Sequence, residues 1–320
     1  MLSYLNVNAL RIDRMIREFA SALELNGDID RERIYRSVDY GKDRQVFKVT
    51  IGAEIYAMKV DLASPRTGRL QQEFAILGEL HRHFQAFEKL TAPAPLYLSP
   101  NGAFFVMRYL PGRTATLAVR ETKNAKSTGQ VFRRAGHWLN ALHKYKNGSQ
   151  ARFWPNWMVE AVDEAIIAGP QAKPADYGRM RDSFRSQTRA MRGRSDLKVF
   201  CHGDFHATNL ILNREGTHGF DFTEVSEKLA IYDIADFLKL DIYRDDAGAG
   251  IDRSGVSRDC KTMFFKLYRH PIDMEILDLC LRGRLLIDWL NISTSRYHKS
   301  AFQREKYDRL RRRLEIAFAA

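Results

Sequence analysis

The hydrophobic pattern of this chain changes period once, and that change limits the fold more than any other feature. As far as Tyr109, apolar residues recur in twos: Val46 to Ile51 and Ile55 to Val60 are alternating runs joined by Gly52-Ala53-Glu54, which predicts an antiparallel hairpin. Leu96 to Leu98 and Phe104 to Tyr109 flank Ser99-Pro100-Asn101-Gly102, whose Asn-Gly pair predicts a second. From Leu117 onward the spacing turns helical: Val131, Ala135, Trp138, Leu139 and Leu142 share one face, and another helical stretch runs from Met274 to Leu290.

Two helices punctuate the strand-rich part. Residues 9 to 25 carry Leu10, Met15, Ile16, Phe19 and Leu23 at helical spacing, and Arg66 to Phe84 carry Leu70, Phe74, Leu77 and Leu80 on one stripe. A short strand pair near Val199 to Asp221 interrupts the helical part. The expectation is an α+β chain with a small antiparallel-sheet lobe over residues 1–110 and a larger, mainly helical lobe over 111–320, connected at Tyr109-Leu110-Pro111-Gly112. No internal repeat is visible.

Composition removes several classes. A chain of 320 residues with 45% hydrophobic and 28% charged residues builds packed cores and is no disordered tail or stapled mini-protein. Cys201, Cys260 and Cys280 are far apart with no C-x-x-C spacing, so neither a disulfide framework nor a thiolate zinc site is signalled. Arg11, Asp13, Arg14, Arg17 and Glu18 break up any leader-like apolar run. No apolar stretch approaches the roughly 18 residues of a spanning helix. A cytoplasmic protein is expected. Its formal charge of +12 favours anionic partners, and peripheral contact with an anionic membrane stays open.

The chemistry concentrates in Cys201-His202-Gly203-Asp204-Phe205-His206-Ala207-Thr208-Asn209, followed by Phe220-Asp221-Phe222. An Asp, an Asn five positions on and a second Asp in a strand-like context suit phosphoryl transfer: Asp204 takes the hydroxyl proton while Asn209 and Asp221 hold magnesium. Such a reaction asks mainly for positioning and charge neutralisation, which a short loop can supply. Glu73 falls on the apolar stripe of its helix, where a carboxylate is costly unless a cation meets it. Lys59 is the expected cation, with Arg66 and Arg69 as alternatives.

His202 to Asn209, Asp221-Phe222 and Asp233-Ile234-Ala235 together resemble the H-G-D-x-x-x-x-N, D-F and D-L-A elements of the aminoglycoside phosphotransferase and choline kinase superfamily. The resemblance covers residues 34 to 240 and implies a bilobal, protein-kinase-like fold. It implies that Tyr56-Ala57-Met58-Lys59 is the strand carrying the phosphate-binding lysine, with Ala57 against adenine and Glu73 as the lysine's ion-pair partner. Phe105 to Gly112 resembles the strand and hinge that read adenine, which places Met107 and Tyr109 at the nucleotide, and Gly41 falls in the phosphate-covering loop. That loop, Asp39 to Gln45, has one glycine rather than a G-x-G-x-x-G array. Thr223 stands for the glycine of D-F-G and Gly203 for the arginine of H-R-D, so a protein kinase is disfavoured.

The implied activity is ATP- and Mg2+-dependent phosphorylation of a small-molecule hydroxyl acceptor. Between Arg113 and Phe200 there are 17 Lys+Arg against 7 Asp+Glu, a net +10. This balance suits a neutral or anionic sugar, glycolipid or metabolite better than a polycationic aminoglycoside. The alternative is a nucleotide-binding pseudokinase or regulatory interaction module with a basic surface. No nucleic-acid module is recognised. Trp154-Pro155-Asn156-Trp157 looks like a binding platform, with core or lid packing between helices as the commoner reading of such an aromatic pair, and His202 reads as a loop brace rather than a metal ligand. The C-terminal helix, with Arg309, Arg311, Arg312 and Arg313 beside Leu310, Leu314, Ile316 and Phe318, reads as docked on the lobe or lying on a membrane surface. A monomer or homodimer is expected.

Overall fold

The computed structural model describes residues 2–37, 44–62, 68–122, 124–244 and 250–319, with side chains of the first helix described from Asn8 onward. It divides into two units, Met1–Gly112 with His218–Thr223, and Arg113–Thr217 with Glu224–Ala320.

The first unit is built on a five-stranded antiparallel sheet. Its strands are β1 (Ile29–Arg36), β2 (Arg44–Ile51), β3 (Glu54–Asp61), β5 (Pro95–Leu98) and β6 (Phe104–Arg108), in the order β1-β2-β3-β6-β5; the two-residue β4 (Leu90–Thr91) precedes β5. Both predicted hairpins are present. Ile51 pairs with Glu54 across a turn in which Gly52 takes φ 57°, a left-handed value that glycine adopts without steric cost. At the other, the Asn101 carboxamide accepts the Ala103 N–H at 3.0 Å.

Alternation gives the sheet two faces. Phe47, Val49, Tyr56, Met58, Val60, Phe104 and Val106 meet the first helix, α1 (Leu2–Ala22), through Ile12, Met15, Ile16 and Phe19. The Phe19 and Tyr56 rings pack edge to face at 5.0 Å. Ala57, Lys59, Phe105 and Met107 occupy the opposite face, where Phe105 meets Phe74 of α2 (Arg69–Phe84). The edge strand β1 has no periodic apolar pattern because it is exposed along almost its whole length; its sequence alternates charges instead.

The second unit is mainly helical: α3 (Ala115–Glu121), α4 (Ala125–Leu142), α5 (Asn156–Ile167), α6 (Pro174–Met191), α7 (Ile231–Leu238), α8 (Arg258–Phe265), α9 (Met274–Leu290), α10 (Thr294–Lys299) and α11 (Ala301–Ala317). α9 is buried nearly all round, through Leu277, Leu281, Leu285 and Trp289, and packs against α5, α6, α7 and α11. The short strands β8 (Ser149–Arg152), β9 (Ser195–Cys201) and β12 (Ser226–Leu229) form a sheet in the order β12-β9-β8. β7 (Arg113–Thr114) pairs with β10 (Leu210–Leu212), so residues 202–209 form the link from β9 to β10. The three-residue β11 (Thr217–Gly219) leads into the segment counted with the first unit.

The C-terminal helix turns its apolar side inward. Leu310, Leu314 and Phe318 are buried, and Arg313, read from sequence as part of a basic surface, is 2% exposed. Its guanidinium bonds the Asp241 carboxylate and backbone carbonyl and the Gly255 carbonyl. The docked arrangement accounts for these residues, while Ile316 and Phe302 of the same helix stay exposed. Among the described residues no helix is long and apolar enough to cross a membrane.

Candidate active site

In the first unit, alternation along β3 points Lys59 away from α1 and toward α2. Its Nζ lies 2.7 Å from Glu73 Oε1 and 2.7 Å from Asp221 Oδ1. Glu73 is 4% exposed, so the carboxylate on the apolar stripe of α2 does meet a cation, and that cation is Lys59. Arg69 adds only a weaker field at Glu73, and Arg66 lies outside the described residues. Burial alone would push the lysine toward neutrality; the two carboxylates outweigh it and hold Lys59 above its usual value. Burial also pushes Glu73 up, with Lys59 opposing.

Asp221 is one of the few non-glycine residues with positive φ, at 66°. Asp tolerates this region better than most side chains, at a modest conformational cost. Thr223 Oγ1 donates to Asp221 Oδ1 at 3.2 Å, and Phe222 is buried. Ala57 and Met107 face each other across β3 and β6, and Tyr109 follows β6 with its N–H on the Ile55 carbonyl and Lys48 Nζ 5.6 Å from its ring. Gly41 lies outside the described residues.

In the second unit, the loop after β9 carries Asp204 and Asn209. Buried Asn209 donates from Nδ2 to the Asp204 carbonyl at 2.9 Å and to its Oδ2 at 3.3 Å. This leaves the amide oxygen as the Asn209 atom suited to a cation. His206 Nε2 lies 3.1 Å from Asp204 Oδ2, and its Nδ1 meets Thr208 Oγ1. Burial lowers the His206 pKa, but the Asp204 carboxylate overrides it and leaves the imidazole above its usual value. Phe205 anchors the loop by stacking on Trp138 at 5.4 Å and on Phe237 at 5.2 Å.

Asp233, in the first turn of α7, braces the same loop. It accepts the His202 N–H at 2.7 Å and the Gly203 N–H at 2.9 Å, while His143 Nε2 lies 3.2 Å away. Burial would raise its pKa; His143, the field of His202 and the Gly203 N–H outweigh this and hold it below the ordinary carboxylate value. Gly203 has φ 82°, and a Cβ there would stand 1.9 Å from the Glu224 carbonyl oxygen. The H-R-D arginine position is glycine here because the backbone leaves no room for a side chain.

A profile of the phosphotransferase enzyme family matches residues 35–264. The chain belongs to this family. It is a small-molecule kinase with the protein-kinase-like fold of that family, an antiparallel N-terminal sheet followed by a mainly helical region. Among solved structures it is similar to a spectinomycin phosphotransferase in complex with ADP and spectinomycin, at 16% identity over 96% of this chain and 97% of that one, with TM-score 0.59. An amicoumacin kinase in complex with AMP-PNP, Ca2+ and Ami gives 17% identity over 97% of this chain and 95% of that one, with TM-score 0.57. A macrolide 2'-phosphotransferase from Brachybacterium faecium gives 13% over 92% and 96%, with TM-score 0.51. No curated protein matches the sequence significantly.

Several residues near the kinase loop have roles that the sequence did not announce. His143, at the end of α4, has no motif around it, yet it is buried against Asp233 and Tyr268. Cys201, His143 and Asp233 lie close enough together to suggest a metal group. Burial pushes the Cys201 thiol well up, and it donates toward the Lys228 and Leu229 carbonyls, so the phosphotransferase uses it as an inert strand residue. Neither tryptophan is core: Trp154 is 51% exposed under Arg192, and Trp157 is half-buried between Tyr232 and Arg284.

Proposed function

We propose that this phosphotransferase moves the γ-phosphoryl group of ATP to a hydroxyl of a small molecule, and that the acceptor is a neutral or anionic sugar, glycolipid or metabolite rather than a polycationic aminoglycoside. The observation that carries the reading is Lys59 held as a cation between Glu73 and Asp221, the pairing a phosphate clamp requires. Lys59 would bind the nucleotide phosphates, Glu73 would orient it, and Ala57, Met107 and Tyr109 would receive the base. The role of Gly41 rests on the sequence alone.

Asp204 would act as general base. As the acceptor oxygen bonds to the γ-phosphorus, the bond to the β-phosphate bridging oxygen breaks, ADP leaves and the hydroxyl proton passes to the Asp204 carboxylate. Asn209 and Asp221 present the oxygen donors that a hard cation prefers, and they would hold magnesium. When bound, magnesium supplies charge neutralisation at the phosphates.

The acceptor choice draws on the basic balance of Arg113 to Phe200. Part of that excess is matched internally, since Arg185 pairs with Asp163, Arg181 with Asp182, and Arg194 with Asp273 and Glu275. The test is Asp204→Asn assayed for phosphate transfer across a panel of sugars, glycolipids, choline-like alcohols and aminoglycosides. A fall in kcat of roughly a thousandfold is expected, with nucleotide affinity retained by calorimetry. Undiminished turnover would overturn the assignment, and a wild-type preference for aminoglycosides would overturn the acceptor class.

A further inference from the structure

Four charged side chains of the second unit form an alternating chain on α7, the residue after it, and α9. Arg284 Nη2 lies 3.2 Å from Asp236 Oδ2, Lys239 Nζ lies 3.4 Å from Asp236 Oδ1, and the same Nζ lies 3.4 Å from Asp288 Oδ2. All four are partly accessible, between 15% and 28% exposed. The two acids and two bases sum to zero. That balance contrasts with the surplus of positive charge in the preceding segment.

An aromatic platform adjoins this chain. The Arg284 guanidinium sits 4.6 Å from the Trp157 ring centroid, and Trp157 packs edge to face on Tyr232 at 5.7 Å with its Nε1–H toward the Tyr232 hydroxyl at 3.5 Å. Tyr232 precedes Asp233, which braces the loop of Asp204. The Arg284 side chain is 27% exposed, so part of it can be reached from solvent. Asp236 lies on α7 three residues beyond Asp233, whose carboxylate holds the His202 and Gly203 N–H groups of the loop that carries the proposed base.

We infer that the Arg284–Asp236–Lys239–Asp288 chain with the Trp157 platform is the acceptor subsite, and that it takes an uncharged polyhydroxylated ring, a sugar or cyclitol. The inference rests on the kinase reading above and narrows its acceptor class. Carboxylates accept ring hydroxyls, guanidinium and ammonium groups donate to them, and an indole face covers the C–H surface of a ring. A polycation would meet only two acids, each already matched by a base. An anionic acceptor would meet the reverse. Charge balance thus selects against both, and specificity follows from polar groups left unpaired by the wrong ligand.

The test measures transfer by wild type, Arg284→Met and Asp288→Asn to four probe classes: uncharged rings (myo-inositol, glucose, a methyl glycoside), a zwitterion (homoserine), a polycation (kanamycin) and an anion (glucuronate). Wild type is expected to favour an uncharged ring. Each variant should raise the KM for that ring about tenfold and change kcat less than threefold, with the KM for ATP within twofold. Arg284→Met, which makes the chain net negative, should improve the kanamycin-to-ring ratio, and Asp288→Asn should lower it. Variants that reduce the melting temperature while leaving acceptor KM and charge preference unmoved would show a structural pin between α7 and α9 and overturn the subsite. Wild-type preference for any charged probe would also overturn it. Absence of transfer to every probe, with Asp204→Asn indistinguishable from wild type, would instead sink the underlying kinase reading and the subsite with it.

Discussion

Lys59 on β3 and Glu73 on α2 are joined at 2.7 Å, with the carboxylate almost completely buried. The pair costs desolvation and is retained because the buried Glu73 carboxylate is uncompensated without Lys59, which also meets Asp221. Glu73→Gln is expected to lower kcat/KM for ATP ten- to a hundredfold, or about 1.4 to 2.7 kcal/mol of transition-state stabilisation, while Lys59→Ala loses more. The pH dependence follows from the sign of the shift. A folded-state pKa raised above the reference value of 10.5 gives stability that is complete below that pH and lost as pH rises through the folded value. Alkaline melting curves should therefore show a steeper loss for wild type than for Lys59→Met.

Asp233 works in the opposite direction. Its depressed pKa contributes stability that is complete above its reference value of 3.8 and disappears as pH falls below that, through the folded value. Asp233→Asn would present an amide to two backbone donors, and the expected cost is about 2 to 4 kcal/mol, read as a lower urea midpoint at neutral pH. Wild type and variant should converge in acid, because the wild-type carboxylate is then protonated.

Two glycines of nearly equal φ separate strain from collision. Gly203 has φ 82° with the Glu224 carbonyl in the way, whereas Gly169 has φ 81° and nothing within 4 Å. Gly169→Ala should cost about 1 kcal/mol, the conformational share alone. Gly203→Ala should cost at least twice that and reduce activity, since the loop carrying Asp204 must shift. Equal melting temperatures for the two variants would contradict this account.

The pair formed by Arg313 and Asp241 ties α11 to the turn after α7. Arg313→Met would strip the fully buried Asp241 of its closer countercharge and leave Arg244 at 3.3 Å, so it should destabilise by about 3 kcal/mol in chemical denaturation. Arg312→Met, on the exposed side of the same helix, should be nearly neutral.

The parts of this molecule that could be read from sequence are those where one residue type answers one physical demand. Alternation across Gly52 and the Asn101-Gly102 turn specified both hairpins, and Glu73 on an apolar stripe demanded a cation. The order Asp204, Asn209, Asp221 carried a chemistry in its spacing. The edge strand β1 was hidden because both of its faces meet solvent, so no apolar period exists to detect. His143 and Arg313 were missed for a related reason: each is a polar residue whose burial depends on a partner distant in sequence, Asp233 and Asp241 respectively. The charge chain of Arg284 and Asp288 with Asp236 and Lys239 joins two helices, and neither helix alone signals it.

Asp221 belongs by its contacts to the first unit, although 108 residues separate it from Gly112. Cutting the gene after Gly112 would therefore yield a fragment holding the lysine and its helical partner but lacking the second acid. Anyone dividing this enzyme into separately expressed pieces would have to graft the His218–Thr223 hexapeptide back as a third segment, and recovery of function on mixing two simple halves should depend on that short return of the chain being threaded home.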